Sequence, residues 1–451
     1  MLISLRRFVL ICTVSIVAVV WHGCSSVVLN PKLPTMPAAD EVQQTTIAYP
    51  ILLLHGLGQK SHAWDGGAVQ FYEKEMGLRF GGTLSMKGGA ARADGRNNGI
   101  GDFYTVSFSV AYDSVNTWAR ELEQYVNYVR QKTKAEKVIL IGYSMGGLAS
   151  RRYLTQNLND HHVKRLITIG TPHLGSPFAK VWNIKTALTK RLADKPNIVS
   201  ETLLKGALAT VTAAEADVPF DSPAVGDLRR PEDGGSFLDA LGKAEHPGDV
   251  DYICVIGDVD VMGEVSKFNT SAVQEVLRRA LEFMDSGDVG KWLQTGDGVV
   301  SAYSQTMTNI PFFKNSISRQ RLTRTVTLGS LHTDHLQRSN EIQRVTLEDK
   351  PEFKSAEFYA VDGKPALVVE FNDYLPPKRS TVTIQYPALS GERTVKTTDI
   401  RLVRKKNGEV VSRAIVPLGN EVDFGQSFTT TVGITNYFNN SISTTKEWRV
   451  Q

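Results

Sequence analysis

Short apolar runs, each closed by glycine or a polar turn, alternate along residues 47–343 with stretches whose apolar positions recur every three or four residues. The first pattern predicts buried strands and the second amphipathic helices. Ile51-Leu-Leu-Leu54 reads as a buried strand, residues 68–76 as a short helix and residues 103–110 as a strand. Ser114 can cap a helix in which Val115, Trp118, Leu122, Tyr125, Val126 and Val129 form one stripe. Strands are expected at 138–141, 163–169 and 251–257, with a helix over 146–157. This order predicts an α/β fold with a mostly parallel, doubly wound sheet. Residues 77–102 are glycine-rich and basic and read as a mobile surface loop; no Gly-Lys-Ser/Thr closes them, so a phosphate loop is excluded.

Residues 178–248 interrupt the strand series with two helical patterns, 178–193 and 200–214, which predict a helical lid or an extra packed layer. Ser271 and Gln274 make a capping box for a further helix, with Val273, Val276, Leu277, Ala280, Leu281 and Met284 on one face. Beyond residue 350 the runs become short and β-like, at 366–371, 380–386, 400–404, 410–416 and 427–435. Asn407-Gly408 is a hairpin turn between two of them, so residues 350–451 are expected to form a β-sandwich-like domain. The remaining boundaries are a signal over 1–24, a Pro-rich and polar linker over 25–46 and a main α/β domain over 47–345.

Candidate chemistry centres on Gly142-Tyr-Ser-Met-Gly146, between an apolar strand and a helix start. A strand turning sharply into a helix forces its central residue into a strained conformation, and side chains at the flanking positions would collide. Ser144 is therefore the candidate nucleophile. His55-Gly-Leu-Gly58 closes an earlier strand and marks where a second oxyanion donor would lie. The donors expected are the amides of Leu57 and Met145, and His55 is read as a packing residue. An acid is expected from Asp258, Asp260 or Asp297. Gly329-Ser-Leu-His-Thr-Asp-His335 follows a strand and offers His332 and His335 as bases.

These segments, with Thr171-Pro-His-Leu-Gly-Ser-Pro177, resemble the α/β-hydrolase superfamily, within it the bacterial triacylglycerol lipases and the inositol-deacylase-like hydrolases. The resemblance covers about residues 47–343. It implies an α/β-hydrolase fold and a serine carboxylester hydrolase acting on lipid-like esters through an acyl-enzyme. It assigns the acid to Asp297, in an Asp-Gly-hydrophobic-Val segment, and favours His335 over His332 as base, because a leucine follows it directly. His173 would shape the pocket wall. Thioesterases, acyltransferases and polyester depolymerases share this triad, and a non-catalytic binding protein of the same fold is the contrasting class.

A net charge of +4 over 451 residues, with no basic run interleaved with aromatics, excludes a nucleic-acid-binding reading. Arg6-Arg7 and an apolar run of about 14 residues, short of the ~20 needed to span a bilayer, predict export. Gly23-Cys-Ser-Ser26 resembles a bacterial lipoprotein signal, which implies acylation of Cys24 and an envelope protein held at the membrane; Trp21 and His22 depart from that pattern. The remaining cysteines are Cys12, within the signal, and Cys254, alone in a strand, so no core disulfide is expected. No cofactor and no metal are expected; no Cys/His ligand spacing stands out.

Overall fold

The computed structural model describes residues 27–29, 33–36, 41–42, 44–95, 97–176, 218–219, 221–259, 296–337, 339–388, 390–418 and 427–450. The signal with Cys24, the helices expected at 178–193, 200–214 and 271–284, and Asp260 lie outside the described residues.

Two short strands, β1 (Val27–Leu29) and β2 (Glu41–Val42), precede the central sheet. That sheet contains β3 (Ile51–Leu54), β4 (Phe80–Lys87), β5 (Ala90–Asp94), β6 (Phe103–Val106), β7 (Val138–Tyr143), β8 (Val163–Ile169), β9 (Asp251–Gly257) and β10 (Thr323–Leu328). Their spatial order is β10-β9-β8-β7-β3-β6-β4-β5, parallel throughout except for β5. The sheet is covered on both faces, which is why its inner strands are continuous apolar runs. On β3, Leu52 and Leu54 join one core with Trp118 and Leu122, whereas Ile51 and Leu53 join the other with Trp64 and Tyr72.

Helix α1 (Val115–Thr133) starts where the Thr117 amide donates to the Ser114 hydroxyl, and it buries the expected stripe. Helix α2 (Met145–Gln156) follows β7 directly. Of residues 178–248, the described part includes α3 (Phe237–Lys243), and Leu238 and Leu241 are buried in the core beneath α1 and α2. This end of the insertion is therefore an extra packed layer.

Two expectations are corrected. Residues 77–102 are not a loop: β4 and β5 form an antiparallel hairpin that extends the sheet. Gly88 and Gly89, at φ 60° and 78°, supply the left-handed turn that such a two-residue connection demands. Residues 25–46 are not simply a tether either, because β1 pairs with β18 (Ser441–Val450) and β2 with β15 (Ile400–Arg404).

These partners belong to two five-stranded sheets. Their other strands are β11 (Glu352–Val361), β12 (Lys364–Asn372), β13 (Ser380–Ala388), β14 (Gly391–Thr397), β16 (Val410–Pro417) and β17 (Ser427–Asn436). One sheet has the order β1-β18-β17-β13-β14 and the other β11-β12-β16-β15-β2. Phe358, Leu367, Val369 and Val416 of one sheet share a core with Val382, Ile384, Val432 and Trp448 of the other, so the C-terminal part is a β-sandwich. Arg165 of β8 fastens it to the central sheet. The Arg165 guanidinium lies 3.9 Å over the Tyr374 ring, and Tyr374 donates to Asp251 at 2.9 Å.

Candidate active site

Ser144 sits at φ 50° and ψ −120°, a conformation costing a non-glycine residue about 1–3 kcal/mol. The surroundings enforce it. The Ser144 amide donates to the Ile169 carbonyl of β8 at 2.8 Å, and the next turn belongs to α2. A Cβ on Gly142 would lie 2.4 Å from the Gly147 nitrogen, and one on Gly146 would lie 2.6 Å from the His55 carbonyl oxygen. Glycine at both places lets α2 start directly over the end of β3. Met145 opens that helix, and among the described residues its amide and that of Leu57 donate to no carbonyl or side chain.

Asp297 lies in a tight turn in which its amide donates to the Val300 carbonyl. Its Oδ1 accepts from the amides of Val299 and Val300 at 3.0 and 2.8 Å. Gln305 braces the same turn, bonding Gly257 at both its amide and carbonyl and donating to the Val300 carbonyl. The other carboxylate oxygen, Oδ2, accepts from His332 Nδ1 at 2.7 Å. Burial alone would push this carboxyl up, but the neighbouring His332 and His335 rings hold it well below the usual carboxylate range.

The histidine loop is tied to both other elements. The His332 amide donates to the Asp297 carbonyl at 2.8 Å, and the Tyr143 hydroxyl donates to the His332 carbonyl at 2.9 Å. Burial, then the Asp297 and Asp334 carboxylates, raise the Tyr143 phenol well above its ordinary value, so it remains a donor. Tyr143 immediately precedes the serine, and Gly170 follows the carbonyl that binds the serine amide. A Cβ on Gly170 would meet His332 Nδ1 at 3.0 Å and Asp297 Oδ2 at 3.1 Å. Ser144, Asp297 and His332 are thus brought to one end of β7, β8 and β9, although the Ser144 hydroxyl makes no hydrogen bond to His332 here.

His335, the base favoured by resemblance, is placed otherwise. Its Nε2 stands 3.5 Å from Asp297 Oδ2 without forming a hydrogen bond, and its Nδ1 pairs with Ser330 Oγ at 3.0 Å. Asp258 is exposed and accepts the Gly296 amide instead of meeting a histidine. His55 packs edge-on to Phe108 and Trp118, and burial pushes it down to about 4. His173 is buried between Arg151 and Thr168. Arg151 lies on α2; burial pushes its guanidinium down to about 9, and its partners are His173, His246 and the Leu241 carbonyl.

Asp297, His332 and His335 place donor atoms within 4.8 Å of one another, as a metal site would. The 2.7 Å separation argues for a hydrogen bond, because ligands around zinc at about 2.0–2.1 Å stand roughly 3.3 Å apart. A cleft of about 680 Å³ between the central sheet and the sandwich is lined by charges of both signs, including Lys137, Lys164, Asp251 and Glu409, and contains none of these residues. Sequence reasoning missed Tyr143, Ser330 and Gln305. The first two stood within motifs already singled out.

Residues 49–188 match the family described as alpha/beta hydrolase fold. The chain is similar to a triacylglycerol lipase of Burkholderia plantarii, 32% identical over 146 residues that make up 32% of this chain and 35% of that one. It is also similar to a triacylglycerol lipase of Pseudarthrobacter phenanthrenivorans, 46% identical over 67 residues, 15% of this chain and 20% of that one. The matches therefore span well under half the length of these curated relatives. The mature form of the Bacillus licheniformis lipase BlEst2 has a similar solved structure, with a TM-score of 0.39 and 19% identity over 70% of this chain and 93% of that one. With its sheet order and its strained serine turn, the chain has an α/β-hydrolase fold, residues 49–188 match the model of that family, and the matched segments are similar to parts of triacylglycerol lipases.

Proposed function

We propose that this protein is a serine carboxylester hydrolase for lipid-like acyl esters, with Ser144 as nucleophile, His332 as general base and Asp297 as the carboxylate that orients it. The observation that carries this reading is the buried 2.7 Å pair of Asp297 and His332, clipped by the hydroxyl of Tyr143, the residue before Ser144. His332 takes the role expected of His335 because its Nδ1 engages the acid, which leaves its Nε2 for the serine.

His332 Nε2 accepts the Ser144 proton as Oγ attacks the ester carbonyl, a bond that tightens once substrate is present. The amides of Leu57 and Met145 receive the oxyanion; losing one such donor costs about 3–4 kcal/mol in comparable sites. The imidazolium then protonates the leaving alcohol, and water, deprotonated by His332, releases the acid from Ser144. Leu57 and Tyr112 pack with Val218 and Val225 beside this site, an apolar wall suited to an acyl chain. Acylation of Cys24 and anchoring at the cell envelope complete the proposal; metabolic labelling with a fatty acid, lost in Cys24→Ala, tests that part.

The decisive experiment is hydrolysis of p-nitrophenyl esters of rising acyl length by residues 26–451, beside Ser144→Ala and His332→Ala. Activity lost in both variants and rising with chain length supports a lipase-like enzyme. Equal inactivity of all three proteins on esters and thioesters would leave a binding protein of the same fold.

A further inference from the structure

Asp297 is approached by two imidazoles. His335 is 1% exposed, Ser330 2% and Asp297 1%, and the proposed mechanism uses neither Ser330 nor His335. A buried histidine with one unpartnered nitrogen is costly unless that nitrogen serves a neighbour. The neighbour here is the catalytic carboxylate itself. His335 Nε2 faces the same oxygen, Oδ2, that accepts from His332, at 3.5 Å. The two rings stand 6.2 Å apart at 78° and so approach that oxygen from different directions.

The tautomer of His335 follows from electrostatics. A lone pair on Nε2 would point at a carboxylate oxygen, whereas an N–H there is attracted to it. Nδ1 must then carry the lone pair, and the Ser330 hydroxyl 3.0 Å away supplies the proton that satisfies it. The space is reserved by backbone. A Cβ on Gly257 would lie 2.8 Å from His335 Nε2, 2.6 Å from Asp297 Cβ and 2.5 Å from the Ser330 carbonyl oxygen.

We infer that Ser330 and His335 are positioning residues for the hydrolysis, a second histidine arm that holds Asp297 toward His332 and shares its negative charge. This rests on the assignment of His332 as base. An N–H facing the carboxylate disperses charge that would otherwise stabilise the His332 imidazolium. Without that N–H the whole charge of Oδ2 faces the His332 ring alone. Among the described residues, the titratable groups around His332 are Asp297, His335, Tyr143 from β7 and Asp334 from its own loop.

The test is the pH dependence of kcat/KM on p-nitrophenyl butyrate, with wild type, His335→Leu, His335→Gln and Ser330→Ala compared. His335→Leu is expected to move the acid limb up by about half to one pH unit. Ser330→Ala shifts it the same way by less, and His335→Gln, whose amide can donate to Asp297, restores most of the wild-type profile. Unshifted profiles in both His335→Leu and Ser330→Ala overturn the inference, whether or not the melting temperature falls, because a packing residue affects stability and not the limb. A different result marks failure of the underlying assignment: His332→Ala remains active while every His335 variant is dead.

Discussion

Replacing Asp297 with asparagine separates its orienting role from its structural one. The side chain makes two kinds of bond. Oδ1 accepts from the amides of Val299 and Val300, and Oδ2 accepts from His332 Nδ1. An asparagine must set its oxygen against the two amides, since leaving both buried donors unpartnered would cost about 1–3 kcal/mol each. Its NH2 group then faces His332 Nδ1. Two donors cannot bond, so the imidazole is driven to carry its proton on Nε2, where the lone pair for Ser144 is needed. The equivalent change in a serine triad leaves geometry intact and lowers kcat about 10⁴-fold. We expect a loss of about 10³–10⁴ in kcat on p-nitrophenyl butyrate, with a circular-dichroism melt that remains cooperative. Asp297→Ala should be equally inactive and less stable than Asp297→Asn, because it alone strands the two amides. An Asp297→Asn enzyme within tenfold of wild type would refute the reasoning and reduce Asp297 to a brace for its turn.

Tyr143→Phe removes the hydrogen bond to the His332 carbonyl, about 1 kcal/mol, and should lower kcat/KM up to about tenfold in steady-state assays while Ser144 remains reactive toward a fluorophosphonate probe. His55 has a folded value of about 4 against 6.5, so its stabilisation is complete above pH 6.5 and is lost as pH falls toward 4. At about 1.4 kcal/mol per pH unit this amounts to roughly 3 kcal/mol; urea midpoints measured between pH 7 and 4 should fall, and fall less in His55→Asn. Cys254 is fully buried with its thiol pushed up by burial, so residues 26–451 should react with a disulfide reagent only after unfolding, as followed by thiol release at 412 nm.

The inner strands are legible because each is an unbroken apolar run buried on both faces, as Val138 to Tyr143 of β7 are. Helix α1 is legible because one stripe alone is buried. The β4–β5 hairpin escapes such a reading. Its glycines resemble loop composition, and β5, at the sheet edge, has no fully buried residue to mark a period. The turn Gly88-Gly89 was the signal that would have exposed it. The strands of the sandwich that lie at an edge or carry mostly polar residues, such as β14 (Gly391–Thr397), are hidden for the same reason: their order comes from pairing with neighbours rather than from burial.

The proposed acid shows a different limit. Asp297 stands out in sequence because a Gly-Asp-Gly turn precedes two valines, and in the structure those valines supply the amides that hold its Oδ1. Which histidine answers it is not written in composition or spacing. Thr333 to Leu336 form a 3₁₀ turn with His332 as its leading residue, and in such a turn side chains three apart stand on the same side. His332 and His335 therefore both face Asp297, and residue type cannot rank them. Their order is decided by contacts from elsewhere in the chain. The Asp297 carbonyl and the Tyr143 hydroxyl seize the His332 backbone from two sides, while Ser330 and the bare Cα of Gly257 fix His335 behind the carboxylate. A leucine after the histidine says nothing about those contacts, since Leu336 only packs into the core beneath the loop. The pair is thus a division of labour imposed by tertiary packing on two residues that the local sequence makes equivalent.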